Sequence, residues 1–343
     1  MRKLLNTLFV TQPDVYLSLD GDTVVLLKKD KRLAQLPLHN LESIVSFGYT
    51  GASPALMGYC AEKNISIVFL TQSGRFLARV IGKSRGNVLL RKKQYQLSDS
   101  ENQSAVIARN FIIGKVFNNK WILERMTRDH PLRIDVDQFK YVSNHLTELI
   151  NQIRLCNDLE NLRGWEGQAA LSYNNVFNDM ILQQKDDFYF HSRSRRPPLD
   201  NVNAMLSFAY TLLANDVASA LETVGLDAYV GFLHRDRPGR VSLALDVMEE
   251  LRGIYADRFV LSLINRRVMN KKHFLKKENG AVIMTDDGRK QFLQAWHQKK
   301  QEKITHPYLR EKIQWGLVPY SQSLLLARYL RNDLDEYPPF LWK

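Results

Sequence analysis

The sequence predicts an α+β protein in which a small N-terminal β-rich domain precedes a larger, all-helical domain. Short apolar runs bounded by turn signals fill the first ~95 residues, whereas from about residue 100 apolar residues recur at three- and four-residue spacing. The chain has 343 residues, 45% of them hydrophobic and 24% charged, which suffices for about two domains with a buried core. We expect domains at residues 1–95 and 104–343, joined by a polar linker over 96–103.

The N-terminal part carries clear start and turn signals. Asp20-Gly21-Asp22 is a hairpin signal between two apolar runs. Ser53 and Pro54 predict the N-cap and first position of a helix that ends near Asn64. The predicted strands cover residues 4–11, 15–19, 23–27, 33–38, 43–47, 65–70 and 76–81, the last two being joined by a turn at Ser73-Gly74.

The second part has helical periodicity throughout, with glycine and proline mainly at the joints and no internal repeat. The predicted helices lie near residues 104–127, 137–155, 160–184, 200–224, 243–265 and 320–331.

Several classes of protein are excluded or disfavoured. The two cysteines, Cys60 and Cys156, cannot form a disulfide framework or a thiolate zinc site, which suits a reducing, cytoplasmic compartment. No apolar run approaches the ~18 residues of a membrane span, so we expect a soluble protein without a membrane partner. Gly82-Lys83-Ser84 resembles part of a phosphate loop, but seven residues separate Gly74 from Gly82 where that loop has four between its glycines, so we reject nucleotide-triphosphate hydrolysis.

The charge balance favours a polyanionic partner. Lys and Arg number 48 against 36 Asp and Glu, a net charge of +12. Basic residues cluster without acids over 75–93 and at Arg193, Arg195 and Arg196. Such acid-free clusters favour contact with nucleic acid, although a basic surface that serves solubility alone is the alternative.

Three segments of the helical part place polar groups where a helix would bury apolar ones. Glu166 lies between two glycines near the start of a helix, and His234 ends an apolar run before a turn that contains Arg235, Arg237 and Arg240. Asp246 and Glu249 lie three residues apart, on one face of an apolar helix. Each has an ordinary structural interpretation: a first-turn glutamate, a satisfied histidine and a solvated helix face.

Taken together, one Glu, one His and one Asp form a ligand set for Mg²⁺ or Mn²⁺. On a basic protein this set indicates phosphodiester chemistry, with the neighbouring arginines holding phosphates. The residues alone therefore predict a metal-dependent nuclease or strand-transfer enzyme.

The order of these segments resembles the CRISPR-associated adaptation integrases, the core spacer-acquisition endonucleases of CRISPR systems. The resemblance is carried by Arg-Gly-Trp-Glu166-Gly, Asp200-Asn-Val-Asn203-Ala-Met-Leu-Ser207-Phe-Ala-Tyr210, Gly-Phe-Leu-His234 and Leu-Ala-Leu-Asp246-Val-Met-Glu249-Glu-Leu-Arg252. It covers essentially the whole chain. The tail Tyr337-Pro-Pro-Phe-Leu-Trp342 is similar to that of the type I branch, within which we expect subtype C.

The resemblance implies a β domain followed by a helical catalytic domain, with Glu166, His234 and Asp246 as metal ligands. It implies a homodimer, formed through the β domain, that assembles with a small second adaptation protein. That complex would join 3′-hydroxyl ends of captured DNA fragments to a CRISPR repeat by transesterification.

The same resemblance assigns supporting roles. Glu249 would be an auxiliary acid and Arg252 would touch phosphate or Glu249, whereas Asn203 and Tyr210 would line the site. Ser207 is expected in the core. Two alternatives stay open: a non-catalytic nucleic-acid-binding scaffold and a repair-type nuclease for branched DNA.

Overall fold

The computed structural model describes residues 6–72, 76–80, 82 and 88–343. The strands are β1 (Thr7–Val10), β2 (Tyr16–Asp20), β3 (Thr23–Lys28), β4 (Lys31–Pro37), β5 (Ser43–Phe47), β6 (Ser66–Leu70), β7 (Phe76–Val80), β8 (Phe274–Lys276), β9 (Val282–Met284), β10 (Lys303–Thr305) and β11 (Lys312–Gln314). The helices are α1 (Pro54–Lys63), α2 (Val88–Ser98), α3 (Glu101–Asp129), α4 (Val136–Leu155), α5 (Leu159–Asn175), α6 (Asn201–Val224), α7 (Ser242–Leu251), α8 (Arg258–Asn265), α9 (Asp286–Gln301) and α10 (Val318–Leu330). A strand-rich part followed by a mainly helical part confirms the predicted fold class.

The N-terminal part contains two sheets. One has the order β1-β5-β6-β7, parallel except for the antiparallel pair β6–β7, and the other is the antiparallel meander β2-β3-β4. The predicted hairpin joins β2 to β3 through Gly21, which has φ 55°. The predicted helix is α1, with the Ser53 side chain accepting from the Leu56 amide and Asn64 left-handed at its end.

Some sequence predictions fall outside the described residues. They include the first residues of the predicted strand over 4–11, the turn at Ser73-Gly74, and Arg75, Lys83 and Arg85 of the basic segment.

Residues 96–103, expected to form a linker, are mostly helical. The helix α2 runs to Ser98, and α3 begins at Glu101 after the N-cap residue Ser100. Although most of the surface of α2 is polar, a buried side chain attaches the helix to the rest of the protein. Gln94 is buried, and its Nε2 donates to the carbonyls of Asp227 and Val230, both at 2.8 Å. The composition of this stretch is typical of a loop, but tertiary contacts stabilise it as a helix.

The helical part is built around α3, which packs against α4, α5 and α7. Its core also includes Val45, Phe47, Val68 and Leu70, so one face of the β1-β5-β6-β7 sheet packs on the helices.

Three details differ from the predicted helices. The helix expected over 160–184 ends at Asn175, and the one expected over 243–265 contains a π-helical turn, Arg252–Asp257, between α7 and α8. The helix α9 was not predicted, because apart from Phe292, Leu293 and Trp296 its buried residues give little apolar periodicity.

Among the helices that the structure describes, α6 is the one long and apolar enough, by length and composition, to cross a membrane. Its candidate stretch is Asn201–Thr223, and 61% of the most apolar window is buried inside the protein. The core helix of a folded domain has the same properties, so this feature is weak evidence for a span.

Candidate active site

A buried lysine joins the two glutamates of the candidate site. The Lys115 ammonium, on α3, contacts Glu166 Oε1 on α5 and lies 2.7 Å from Glu249 Oε2 on α7. The side chains of Lys115 and Glu249 are 5% and 3% exposed, whereas that of Glu166 is 26% exposed. We call Lys115, Glu166, Glu249 and Arg252 the lysine cluster.

Asp246 holds the loop that carries His234. Its Oδ2 accepts from the backbone amides of Phe232 (2.6 Å) and Leu233 (2.9 Å), and its Oδ1 accepts from the His234 amide (3.0 Å) and Nδ1 (2.6 Å). The loop approaches so closely that a Cβ on Gly231 would lie 2.7 Å from Asp246 Oδ2. Four donors occupy the acceptor positions of this fully buried carboxylate.

The sequence predicts Glu166, His234 and Asp246 as metal ligands, whereas this arrangement favours Glu249 in place of Asp246. The Asp246 carboxylate accepts its hydrogen bonds from the loop that carries His234. Glu249, by contrast, shares the Lys115 ammonium with Glu166. Because His234 Nδ1 donates to Asp246, His234 Nε2 is left as the acceptor, the form in which a histidine binds a metal.

The donor set suits a hard divalent cation with one nitrogen ligand. Glu249 Oε2 is buried without a well-aligned hydrogen bond, and a cationic group already lies between the two carboxylates. Within the described ranges, no three His, Cys, Asp or Glu residues are grouped as a complete metal site. The residues present therefore fit a Mg²⁺ or Mn²⁺ site made of Glu166, His234 and Glu249.

Arg163 ties the glutamate helix to the histidine loop. Its Nε and Nη2 donate to the Leu233 carbonyl at 2.9 and 2.7 Å. Arg163 lies three residues before Glu166 on α5, so this bidentate contact sets the position of Glu166 relative to His234.

Arg252 contacts Glu249, one of its two expected roles, with Nη2 2.6 Å from Oε1. Burial would raise the pKa of Glu249, but the charges of Arg252 and Lys115 outweigh it and hold that pKa well below its usual range. Glu249 is therefore a carboxylate at neutral pH, the form that binds a cation.

Asn203 contacts the segment that contains Arg193, Arg195 and Arg196, which we call the arginine segment. Its Oδ1 accepts from Arg193 Nη1 at 2.7 Å and from the Ser194 amide at 3.1 Å, and Ser207 Oγ accepts from Arg193 Nη2 at 2.9 Å. Asn203 is fully buried, so it positions residues 193–194 and does not itself line an open site. Ser207, expected in the core, helps to hold the same arginine.

Tyr210 lies between two guanidinium groups. Its ring centroid is 5.2 Å from Arg193 Cζ and 5.0 Å from Arg252 Cζ, and its hydroxyl donates to Asp257 Oδ1 at 2.5 Å. Burial raises the pKa of Asp257 to about 6 despite these neighbours. Tyr210 thus connects the arginine segment to the π-helical turn that follows Glu249.

The remaining predicted arginines are mostly exposed. Arg195, Arg196 and Arg237 are exposed, and exposed Arg235 lies 2.5 Å from Glu160 Oε1. Arg240 is half-buried, and burial together with the charge of Arg237 lowers its pKa.

The neighbouring residue Glu250 anchors the C-terminal tail. Its Oε1 accepts from the Tyr337 hydroxyl and, at 3.0 Å, from Gln322 Nε2, and its Oε2 accepts from the Phe340 amide at 2.7 Å. Asn118 Nδ2 donates to the carbonyls of Glu250 and Phe340, both at 2.7 Å. We call these five residues the tail anchor.

Sequence reasoning missed Lys115, Arg163 and Asp257. Lys115 did leave a signal, since it is the single charged residue in the apolar run from Phe111 to Phe117. The other two look like ordinary helix-surface charges in the sequence, because their partners lie on distant segments.

Known proteins resemble this chain over most or all of its length. A family model described as CRISPR associated protein Cas1 matches residues 8–298. A protein from Chlorobaculum tepidum named CRISPR-associated endonuclease Cas1 1 is 48% identical over 343 residues, all of both chains. A protein of the same name from Moorella thermoacetica is 43% identical over 344 residues, again all of both chains.

Solved structures share the fold. A Cas1 protein from Thermotoga maritima superposes with a TM-score of 0.80 at 23% identity, covering 95% of this chain and 97% of its own. A casposase bound to integration product gives a TM-score of 0.84 at 22% identity, covering 98% and 93%. The predicted family is confirmed, while the subtype stays a prediction. With a family model over most of its length and relatives alike from end to end, this chain belongs to the CRISPR-associated Cas1 family.

Proposed function

We propose that this protein is a metal-dependent DNA endonuclease and integrase. It would join the 3′-hydroxyl ends of captured DNA fragments to a CRISPR repeat by transesterification. The observation that carries this proposal is that Lys115 joins Glu166 to Glu249 while Asp246, three residues before Glu249 on α7, orients His234, on a basic protein.

In this proposal Glu166, Glu249 and His234 Nε2 hold a Mg²⁺ or Mn²⁺ ion. A bound divalent ion polarises the scissile phosphate and makes the attacking hydroxyl more acidic. Asp246 fixes the direction of the imidazole through Nδ1, and Arg163 fixes the His234 loop against α5. The exposed Arg235 and Arg237, which follow His234 in that loop, would receive phosphate oxygens.

The assembly is part of the proposal. We expect a homodimer, formed through the β-rich part, that binds DNA together with a small second adaptation protein. A structural neighbour titled Cas6-RT-Cas1–Cas2 complex, of whose chain this protein covers 36%, supports a partner of the Cas2 type. The names of the curated relatives support endonuclease activity, and a cytoplasmic location suits such a DNA-processing enzyme.

The test is a joining assay. The protein is incubated with its small partner, Mn²⁺ or Mg²⁺, a duplex with 3′-hydroxyl ends and a supercoiled plasmid that carries the repeat. We expect joined products with the wild type and none with His234→Ala, because the nitrogen ligand is lost. Asp246→Asn should lower the rate by about 10- to 100-fold, the usual effect of removing a group that orients a ligand. The exposed His39→Ala is the matched control.

Each alternative has its own outcome in this assay. Salt-sensitive DNA binding without metal-stimulated cleavage or joining would favour the scaffold hypothesis. Cleavage of branched DNA without joining would favour the repair-type nuclease. Joined products that persist in His234→Ala would overturn the site assignment.

A further inference from the structure

Lys115 is a buried cation whose position the proposed chemistry does not explain. It lies on α3 within the apolar run from Phe111 to Phe117, and its side chain is 5% exposed. An ammonium in such surroundings is costly unless it is paired. Its partners are the two carboxylates, Glu166 and Glu249, that the proposed metal would bind.

The contacts of the lysine cluster divide into a fixed part and an exchangeable part. Glu249 Oε1 lies 2.6 Å from Arg252 Nη2, so one oxygen of Glu249 has a cationic partner independent of Lys115. Glu249 Oε2 and Glu166 Oε1 instead share the single Lys115 ammonium. These two oxygens come from different helices, α7 and α5, and the ammonium between them offsets their mutual repulsion.

A divalent ion between Glu166 and Glu249 would need the place that the ammonium occupies. Two cations cannot both lie there, because their repulsion in a site shielded from water would exceed the gain from shared ligands. Binding of the metal must therefore break the contacts of Lys115 with both carboxylates.

We propose that Lys115 is a built-in competitor of the metal: it holds Glu166 and Glu249 together in the metal-free protein and is displaced when the ion binds. This inference rests on the proposed function, since it assumes that the two glutamates bind a divalent ion. It has two consequences. The metal-free site is charge-balanced and keeps α3, α5 and α7 in place, and the affinity for the metal is lower than the ligands alone would give.

Lys115→Met tests both consequences, since methionine keeps much of the length of the side chain and removes the charge. Isothermal titration of the protein with Mn²⁺, without DNA, measures the dissociation constant. We expect Lys115→Met to bind Mn²⁺ at least about tenfold more tightly than the wild type, as expected when a charge-assisted contact no longer has to be broken. The control is Lys140→Met, which removes a lysine 2.5 Å from Glu124 and outside the site.

Thermal unfolding supplies a second readout. In EDTA, Lys115→Met should melt several degrees below the wild type, because its two carboxylates then lack a shared cation. Saturating Mn²⁺ should remove most of that difference. Should the variant not fold without metal, it is prepared in Mn²⁺, and Lys115→Gln, which retains a hydrogen-bond donor, is titrated in its place.

The outcomes separate this inference from the proposed function. A wild-type protein that binds no Mn²⁺ would overturn the proposed metal site itself. Wild-type binding with an unchanged dissociation constant in both Lys115 variants would overturn only the competition. A melting deficit of equal size in EDTA and in Mn²⁺ would likewise show that Lys115 is purely structural.

Discussion

The lysine cluster and the tail anchor lie on two sides of α7, and each depends on one of two consecutive glutamates. Both Glu249 and Glu250 are buried. Glu249 faces Lys115 and Arg252, and its pKa is held low. For Glu250 burial dominates over its neutral donors, and its pKa rises to about 7. Residues next to each other in a helix point about 100° apart, so equal burial leads to opposite electrostatic environments.

The difference indicates two functions for one short helix. The side with fixed opposite charges keeps a carboxylate ionised and able to bind a cation. The side with a tyrosine, an amide side chain and a backbone N–H attaches the C-terminal tail to α3 and α7. We expect substitutions on the first side to affect chemistry and those on the second to affect stability.

Of the substitutions in these two glutamates, Glu249→Gln should have the larger effect. The amide keeps the shape of the side chain but removes the negative charge that a divalent ion requires. We expect the rate of DNA joining to fall by more than about 100-fold, beyond the usual effect of a group that merely orients a ligand. The joining assay measures it, with the exposed Glu148→Gln as control. A rate within about tenfold of the wild type would mean that Glu249 is not a ligand.

Glu250→Ala should act on stability. It leaves the Tyr337 hydroxyl and the Phe340 N–H without their buried acceptor, whereas Gln322 Nε2 keeps the Pro338 carbonyl as an acceptor. We expect the free energy of unfolding to fall by about 3 kcal/mol, as typical for two unsatisfied buried donors. Urea denaturation at pH 7.5 measures the change. A loss below about 1 kcal/mol would show that the tail is held mainly by apolar packing, and the comparison between the two glutamates would weaken.

His306 extends the tail anchor and predicts a smaller, pH-dependent effect. Its Nε2 lies 3.1 Å from Gln322 Oε1, and its Nδ1 accepts from the amides of Tyr308 and Leu309. Burial lowers the pKa of His306 to about 4, from an ordinary value of 6.5. The unfolded chain therefore takes up the proton first, so this contribution to stability is present above pH 6.5 and is lost as the pH falls toward 4.

We expect the His306 contribution to fall by about 2 kcal/mol between pH 7.5 and pH 5. His306→Asn keeps an acceptor near Nδ1 and removes the titration. The measurement is the difference in unfolding free energy between wild type and variant at the two pH values. Glu250, with its raised pKa, contributes the opposite trend in both proteins and cancels in that difference. A difference independent of pH would contradict the prediction.

Local signals in the sequence predicted much of the fold. The capped start of α1 at Ser53 and Pro54, the β2–β3 hairpin and the apolar periodicity of α4 depend on residues close in the chain. The same reasoning failed for 96–103 and for α9. In these stretches a few buried residues, such as Gln94 and Trp296, secure a helix whose other positions are polar.

Part of the candidate site is recognisable in the sequence. Glu166, His234 and the acidic face of α7 draw attention because charged residues in apolar helices are costly. The roles within that face were not predictable. Asp246 and Glu249 share a helix face and a charge, and only the path of the Gly231–His234 loop shows that Asp246 binds backbone amides while Glu249 faces a cation.

The sequence alone thus determined the fold class, the acid and histidine residues available for a site, and the basic character that suits a polyanionic substrate. Tertiary structure decided which carboxylate faces Lys115, which one orients His234 and which one holds the tail. The physical reason is that composition and periodicity show what it costs to bury each residue. The role of a buried charged residue depends on the partner that offsets this cost. Here that partner lies on another segment, often more than 50 residues away, as for Lys115 and Glu166.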